Sequence, residues 1–249
     1  MNLCEQACLH SFPKHGIKEV QAIVLTHGHA DAILGLDDVR DLQKSEKVVD
    51  PGTQSTGFRI KSGPMQIYCH KETMDVVDKS FRYLTGPPAF LDDEKMILSR
   101  RVAFLKFNVI DPNELINISG MHIRCFPVWH GGTYVSLGFS IGKAGDFVYI
   151  SDVKIIPDPT WDYLKSLPRI KTLVIDGLDR EGIFPHMGLE EALEAIRVLN
   201  PERAFLTGMS CGMGDHEAVN AELRSRPPEA GPPTQLAFDG MMLDGFSIQ

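Results

Sequence analysis

A layered α/β sandwich is the fold class this sequence predicts, and three observations carry it. Apolar, β-branched runs follow one another between Val102 and Ser151. After Ser151 such runs alternate with helical patterns. The length, 249 residues, suits one domain with a large core over residues 1–249.

Taken in order, Gln21–Thr26 (QAIVLT) reads as a buried strand that stops at His27-Gly28-His29. A helical pattern runs from near Ala32 to about Leu42. Ser45–Gly63 carries glycines, serines and charges and reads as a mobile loop. Gln66–Cys69 is a strand and Lys71–Tyr83 a helix, stopped hard by Gly86-Pro87-Pro88. The strand-rich stretch follows as AFLKFNVI, MHIRCFPV, VSLGFSI and FVYIS, the last two joined by a hairpin turn over Gly142–Asp146. Thr160–Lys165 is a short helix, Thr172–Ile175 a strand, Leu189–Leu199 a helix and Ala204–Thr207 a strand. A helix from about His216 to Leu223 precedes a loop over Pro227–Pro233. The closing QLAFDGMMLDGFSI supplies a final pair of short strands.

Composition narrows the function classes. A formal charge of −8, with no face rich in Lys and Arg, argues against a polyanion partner, because nucleic-acid binders neutralise phosphates with a basic stripe. No apolar run approaches the roughly 20 residues that span a bilayer. The opening MNLCEQACLHSF lacks both a cationic region and a continuous apolar region, so no signal peptide is expected. Cys4, Cys8, Cys69, Cys125 and Cys211 are odd in number and scattered, as in a reduced compartment. The expectation is a cytoplasmic protein with a small-molecule substrate, no nucleic acid and no membrane.

The sharpest motif is Thr26-His27-Gly28-His29-Ala30-Asp31, directly after a buried strand. Two imidazoles two residues apart in an extended loop can aim at one ion, and Asp31 follows. Neutral imidazole and carboxylate suit zinc, manganese or iron. Alone, the motif also fits a surface loop that happens to hold two histidines. His130 ends the strand MHIRCFPVW and is followed by Gly131-Gly132, where the backbone turns freely. Asp152 ends the strand FVYIS. A lone histidine there would be structural and a lone aspartate a helix cap. Together, at successive strand ends, they read as a metal site.

With those residues in place, the chain resembles the metallo-β-lactamase superfamily, which uses H-x-H-x-D-H, a further histidine, a bridging aspartate and a last histidine. The wording THGHADAILGLDDVR, FPVWHGG, YISDV and HMGLEEALEAI is similar to the branch of the phosphoribosyl cyclic phosphodiesterase and its plant, fungal and bacterial relatives. The likeness runs from about Gln21 to Leu223. It implies a four-layer αβ/βα sandwich with a divalent metal, zinc first and manganese second. It also implies His27, His29, His130 and Asp152 as ligands, Asp152 in the bridging place and Asp31 at the second-metal position. His186, before the helix GLEEALEAI, matches a histidine that contacts substrate phosphate, and a helix N-terminal residue is the alternative.

The chain departs from that pattern in two places. Ala32 stands where the motif has its histidine, and Gly208 stands where the last ligand is expected. Both belong to the second metal, so about one ion per chain is expected. Cys211 and His216 are candidate replacements; against them stand a buried inert thiol and a helix start. Only 26 residues precede His27, fewer than in the family, which implies a shortened N-terminal sheet and an exposed edge that favours a homodimer.

These features point to a metal-dependent hydrolase of a small, cyclic-phosphate-like phosphodiester, acting through a metal-activated water, with Asp31 and His186 as catalytic residues. An inactive relative retaining one structural metal ranks second and a thioester hydrolase third. A tRNA-processing nuclease ranks last, given the acidic balance and the two absent histidines.

Overall fold

The structure is a computed structural model that describes residues 16–17, 19–49, 54–87, 90–92, 97–142 and 145–243. Cys4, Cys8, the middle of the turn at 142–146 and the end of the closing segment lie outside the described residues. The chain divides into two units, residues 1–110 and 111–249.

In the first unit three parallel strands form one sheet, β1 (Ala22–Val24), β4 (Met65–His70) and β7 (Leu105–Ile110), with β4 in the middle. Their burial follows from sequence. Ile23, Ile67 and Cys69 turn into a core shared with Leu25, Ile33, Leu36 and Val77, the last from helix α2 (Lys71–Ser80). A single helical turn, α3 (Arg82–Thr85), follows α2. Parallel strands with covered faces read as near-continuous apolar runs, which is what QAIVLT and MQIYC are. In register Ala22 lies beside Gln66 and Val24 beside Tyr68, and the Leu25 N–H extends the ladder to the Tyr68 carbonyl at 2.8 Å. The HGH motif therefore leaves the sheet at its carboxyl edge.

Two expectations for this unit change. The helix expected over 32–42 is a short turn, α1 (Ala30–Ile33), followed by tighter turns over Leu34–Leu36 and Asp38–Leu42. Asp37 explains the break. Its carboxylate takes the Arg40 guanidinium and accepts the Ala103 N–H at 3.1 Å, holding the backbone outside a regular helix. The supposed mobile loop of Ser45–Gly63 contains an antiparallel pair, β2 (Ser45–Val49) and β3 (Thr56–Ile60), continued by β6 (Ile97–Leu98) and β5 (Phe90–Asp92). The charges that suggested a loop are cross-strand partners. Glu46 lies opposite Arg59 and pairs with it at 2.8 Å.

The second unit is a seven-stranded sheet in the order β14-β13-β12-β11-β10-β9-β8. The strands β8 (Leu115–Ile118), β9 (Met121–Trp129), β10 (Val135–Ile141) and β11 (Phe147–Ile150) form an antiparallel meander. Beyond it β12 (Thr172–Asp176), β13 (Arg203–Thr207) and β14 (Thr234–Leu236) run parallel to β11. Each parallel step needs a crossover, supplied by the helices α4 (Asp158–Ser166), α5 (Leu189–Leu199) and α6 (His216–Ser225). Val148, Ile150, Leu173, Ile175 and Leu206 pack there against Leu164, Leu189, Ile196 and Val219 of those helices. Gly138 is required by packing, because a β-carbon there would lie 2.2 Å from Phe126 Cε2. Among the described residues one strand of the expected final pair is present, β14, and none follows Leu236.

Direction is what places the site. Two antiparallel steps make β9 and β11 run the same way, and β12 and β13 run with β11. The carboxyl ends of β9, β11, β12 and β13 therefore lie at one edge of the second unit's sheet, where α/β folds place their ligands.

Candidate metal centre

In the first unit, His27 is fully buried and exposed His29 immediately precedes α1. Their ring centroids are 4.6 Å apart and nearly perpendicular. Thr26 Oγ1 lies 3.0 Å from His27 Nδ1. Asp31 sits exposed in the first turn of α1 and does not join the two imidazoles in a close ligand group. Ala32, in place of the motif's second-site histidine, is buried in the apolar core.

In the second unit, the ligand atoms of His130, Asp152 and His186 lie within 4.8 Å of one another. His130 follows β9, where Gly131 and Gly132 both take positive φ and the His130 N–H donates to the Tyr134 carbonyl at 2.8 Å. Its Nδ1 donates to the Pro185 carbonyl at 2.8 Å, which puts the ring's lone pair on Nε2. Asp152 follows β11 at φ 53°, a left-handed conformation that costs an L-residue roughly 1 kcal/mol and gathers at functional sites. The segments carrying the two are joined by backbone. Trp129 and Ile155 form an antiparallel bridge, with Trp129 N–H to Ile155 carbonyl at 2.9 Å and Lys154 N–H to Trp129 carbonyl at 2.7 Å.

His186 comes from the loop between β12 and α5, its ring 4.6 Å from that of His130. Asp176, the last residue of β12, accepts from His186 Nδ1 at 2.7 Å and from the Val153 N–H at 3.2 Å. It is 1% exposed, and burial pushes its carboxyl above the usual range while the His186 bond opposes the rise. Asp176 is the functional residue that sequence reasoning missed. The signal was present, since it ends an apolar run (TLVID) just as Asp152 follows one.

The remaining candidates fall outside this group. Gly208 follows β13 at φ 76°, and a β-carbon there would start 3.0 Å from Asp176 Oδ1, so the position where a ligand was expected is crowded by the Asp176 carboxylate. His216 uses both ring nitrogens on protein partners, Nε2 to the Ala237 carbonyl at 3.1 Å and Nδ1 to Asn220 at 3.2 Å. It is the first residue of α6, as the helix-start alternative held. Cys211 is exposed, not the buried thiol expected as the alternative to a ligand, because it sits on a one-turn surface element.

Two imidazoles and a carboxylate, with lone pairs converging and a second carboxylate behind one imidazole, are the donor chemistry of a divalent ion with an outer-shell partner. The donor set fits the group. No helix among the described residues is long and apolar enough to cross a membrane.

Strand-end histidines and aspartates on a mixed α/β scaffold define the class of metal-dependent hydrolases. The chain belongs to the β-lactamase superfamily: the model of the beta-lactamase superfamily domain matches residues 2–209, and the fold is the metallo-β-lactamase fold that the motifs implied. A solved diphosphatase from the PhnP family is 26% identical, with a TM-score of 0.68 over 92% of this chain and 72% of that one. Among curated proteins, a ribonuclease Z from Bradyrhizobium diazoefficiens is 30% identical over 50% of this chain and 33% of its own length. An octanoyltransferase from Porphyromonas gingivalis is 22% identical over 91% of this chain and 38% of its own length. The chain thus spans 38% of the octanoyltransferase and 33% of the ribonuclease Z.

Proposed function

We propose that this chain hydrolyses a small phosphodiester with the help of one divalent ion. The convergence of His130, Asp152 and His186, with Asp176 braced behind His186, carries the reading. The motif resemblance supplies the proposed ligand set, His27, His29, His130 and Asp152, and leaves His186 outside it, facing the substrate. Similarity to a diphosphatase supports hydrolysis at phosphorus, and a net charge of −8 weighs against a long polyanionic substrate.

A divalent ion supplies Lewis acidity and lowers the pKa of water towards about 7. The chain's own residues do the rest. Asp31, exposed at the start of α1, is the proposed acceptor of the nucleophile's proton. His186, its Nδ1–H donated to Asp176, is proposed to act in its protonated form, donating Nε2–H to the phosphoryl oxygens or to the leaving group. The carbonyl of Pro185 fixes the tautomer of His130.

One ion is proposed, not two, because Ala32 is packed in the core and the β-carbon space of Gly208 is crowded by Asp176. Those same absences favour the second reading, an inactive relative that keeps a structural ion. Elemental analysis after dialysis, with turnover of cyclic and open phosphodiesters, tests both. About one ion per chain and metal-dependent turnover are expected. Absence of turnover at full occupancy would leave the inactive reading standing, and two tightly held ions would refute the one-ion site.

A further inference from the structure

Residues Ile183–His186 form a tight turn, closed by the His186 N–H donating to the Ile183 carbonyl at 3.2 Å. Its last three residues all meet the His130 segment. The His186 ring faces that of His130, and the Pro185 carbonyl holds His130 Nδ1. The Phe184 ring lies along the backbone of Gly131 and Gly132, where β-carbons would sit 3.1 Å from its Cε1 and 3.9 Å from its Cζ. Any side chain at Gly131 would push the ring away, so the two glycines form a shelf for it.

Phe184 is nevertheless 76% exposed. An aromatic ring left in water forfeits the hydrophobic stabilisation that burial would give it, and here its polar neighbours are the groups that would do chemistry. Ile183 and Ile155, which belong to the segments leading to His186 and from Asp152, are 47% and 46% exposed. Apolar exposure thus recurs on the segments that bring the reactive groups together, and the Phe184 ring is the largest planar surface among these three residues.

We infer that Phe184 determines specificity by stacking on a planar aromatic group of the substrate, so that the preferred substrate is a phosphoester bearing an aryl ring or a nucleobase. This rests on the reading of His130, Asp152 and His186 as the reaction centre. An offset-stacked pair strengthens binding by about two- to tenfold, added to what the buried area itself contributes.

The test is calorimetric binding of two probe pairs to the metal-loaded chain, independent of turnover. Phenylphosphonate against methylphosphonate reports an aryl group, and adenosine 5′-monophosphate against ribose 5-phosphate reports a nucleobase. We expect about a tenfold preference for the aromatic member of at least one pair, falling to near unity in Phe184→Ala and restored in Phe184→Trp. Phe184→Leu keeps apolar cover on the glycine shelf and serves if the alanine variant unfolds; it too should lose the preference. The pair that responds identifies the source of the ring. No preference in either pair, or a preference that persists in Phe184→Leu, overturns the inference. Turnover of bis(p-nitrophenyl) phosphate by the parent is measured separately. Its absence alongside Phe184-dependent binding would refute the hydrolase and leave the aromatic site intact.

Discussion

Replacing Asp176 by alanine should loosen the second unit's site and lower stability by about 2–4 kcal/mol. The figure follows from what the carboxylate holds. It accepts from His186 Nδ1 at 2.7 Å, a charge-assisted bond worth roughly 1.5–3 kcal/mol. It also accepts from the Val153 N–H at 3.2 Å, and a buried N–H left without a partner costs roughly 1–3 kcal/mol. Against these stands relief from burying a charge, which is substantial because the Asp176 side chain is only 2% exposed. In a protein of this size each kcal/mol moves the melting temperature by roughly 2–4 °C, so a drop of about 5–15 °C is expected. Asp176→Asn can present its carbonyl oxygen to both donors and should stay within about 1 kcal/mol of the parent. Calorimetric melting of the metal-free parent and both variants measures this. An alanine variant that melts with the parent would refute the claim that Asp176 braces His186 and the backbone after Asp152.

Asp31→Asn should retain the bound metal by elemental analysis yet lose most phosphodiester turnover, since an amide cannot take a proton from the nucleophile; equal rates would remove the catalytic role from Asp31. Burial pushes the thiols of Cys69 and Cys125 up to about 12, so native alkylation near pH 8 should label Cys211 among the described cysteines and reach the other two only after unfolding, as peptide mass mapping would show. Burial also holds the His70 imidazole below its usual value, with Glu72 opposing. The unfolded chain then binds that proton more readily, so His70 lowers stability as pH falls through about 6.5, and His70→Gln should flatten the stability curve between roughly pH 7 and 5 in chemical denaturation.

Elements with punctuation at both ends were the most legible. Leu189–Leu199 was bounded correctly because Gly188 opens it, with the Glu191 carboxylate accepting the Gly188 N–H, and Asn200 closes it at φ 46°. The strand-end histidines and Asp152 were legible because a short motif in an apolar context has few readings. Asp176 was not, although it ends an apolar run as surely, since a single acid after VI carries no spacing signal of its own. The pair β2 and β3 was hidden because its Glu, Lys and Arg residues resemble loop composition until a partner strand sets Glu46 against Arg59. Phe184 was hidden for a different reason. Sequence cannot tell an aromatic that packs inward from one that rests on a glycine shelf and stays in water.

The Trp129–Ile155 bridge has a consequence for how such a protein can change. The loops that carry His130, Asp152 and His186 are sewn by main-chain bonds: Lys154 to Trp129, Met187 to Val153 and Leu178 to Met187. Main-chain seams are indifferent to most side chains. Residues such as Ile155, Ile183 and Phe184 can therefore be exchanged without moving the groups beside them, and substrate preference can drift under mutation while the reactive frame is inherited unaltered.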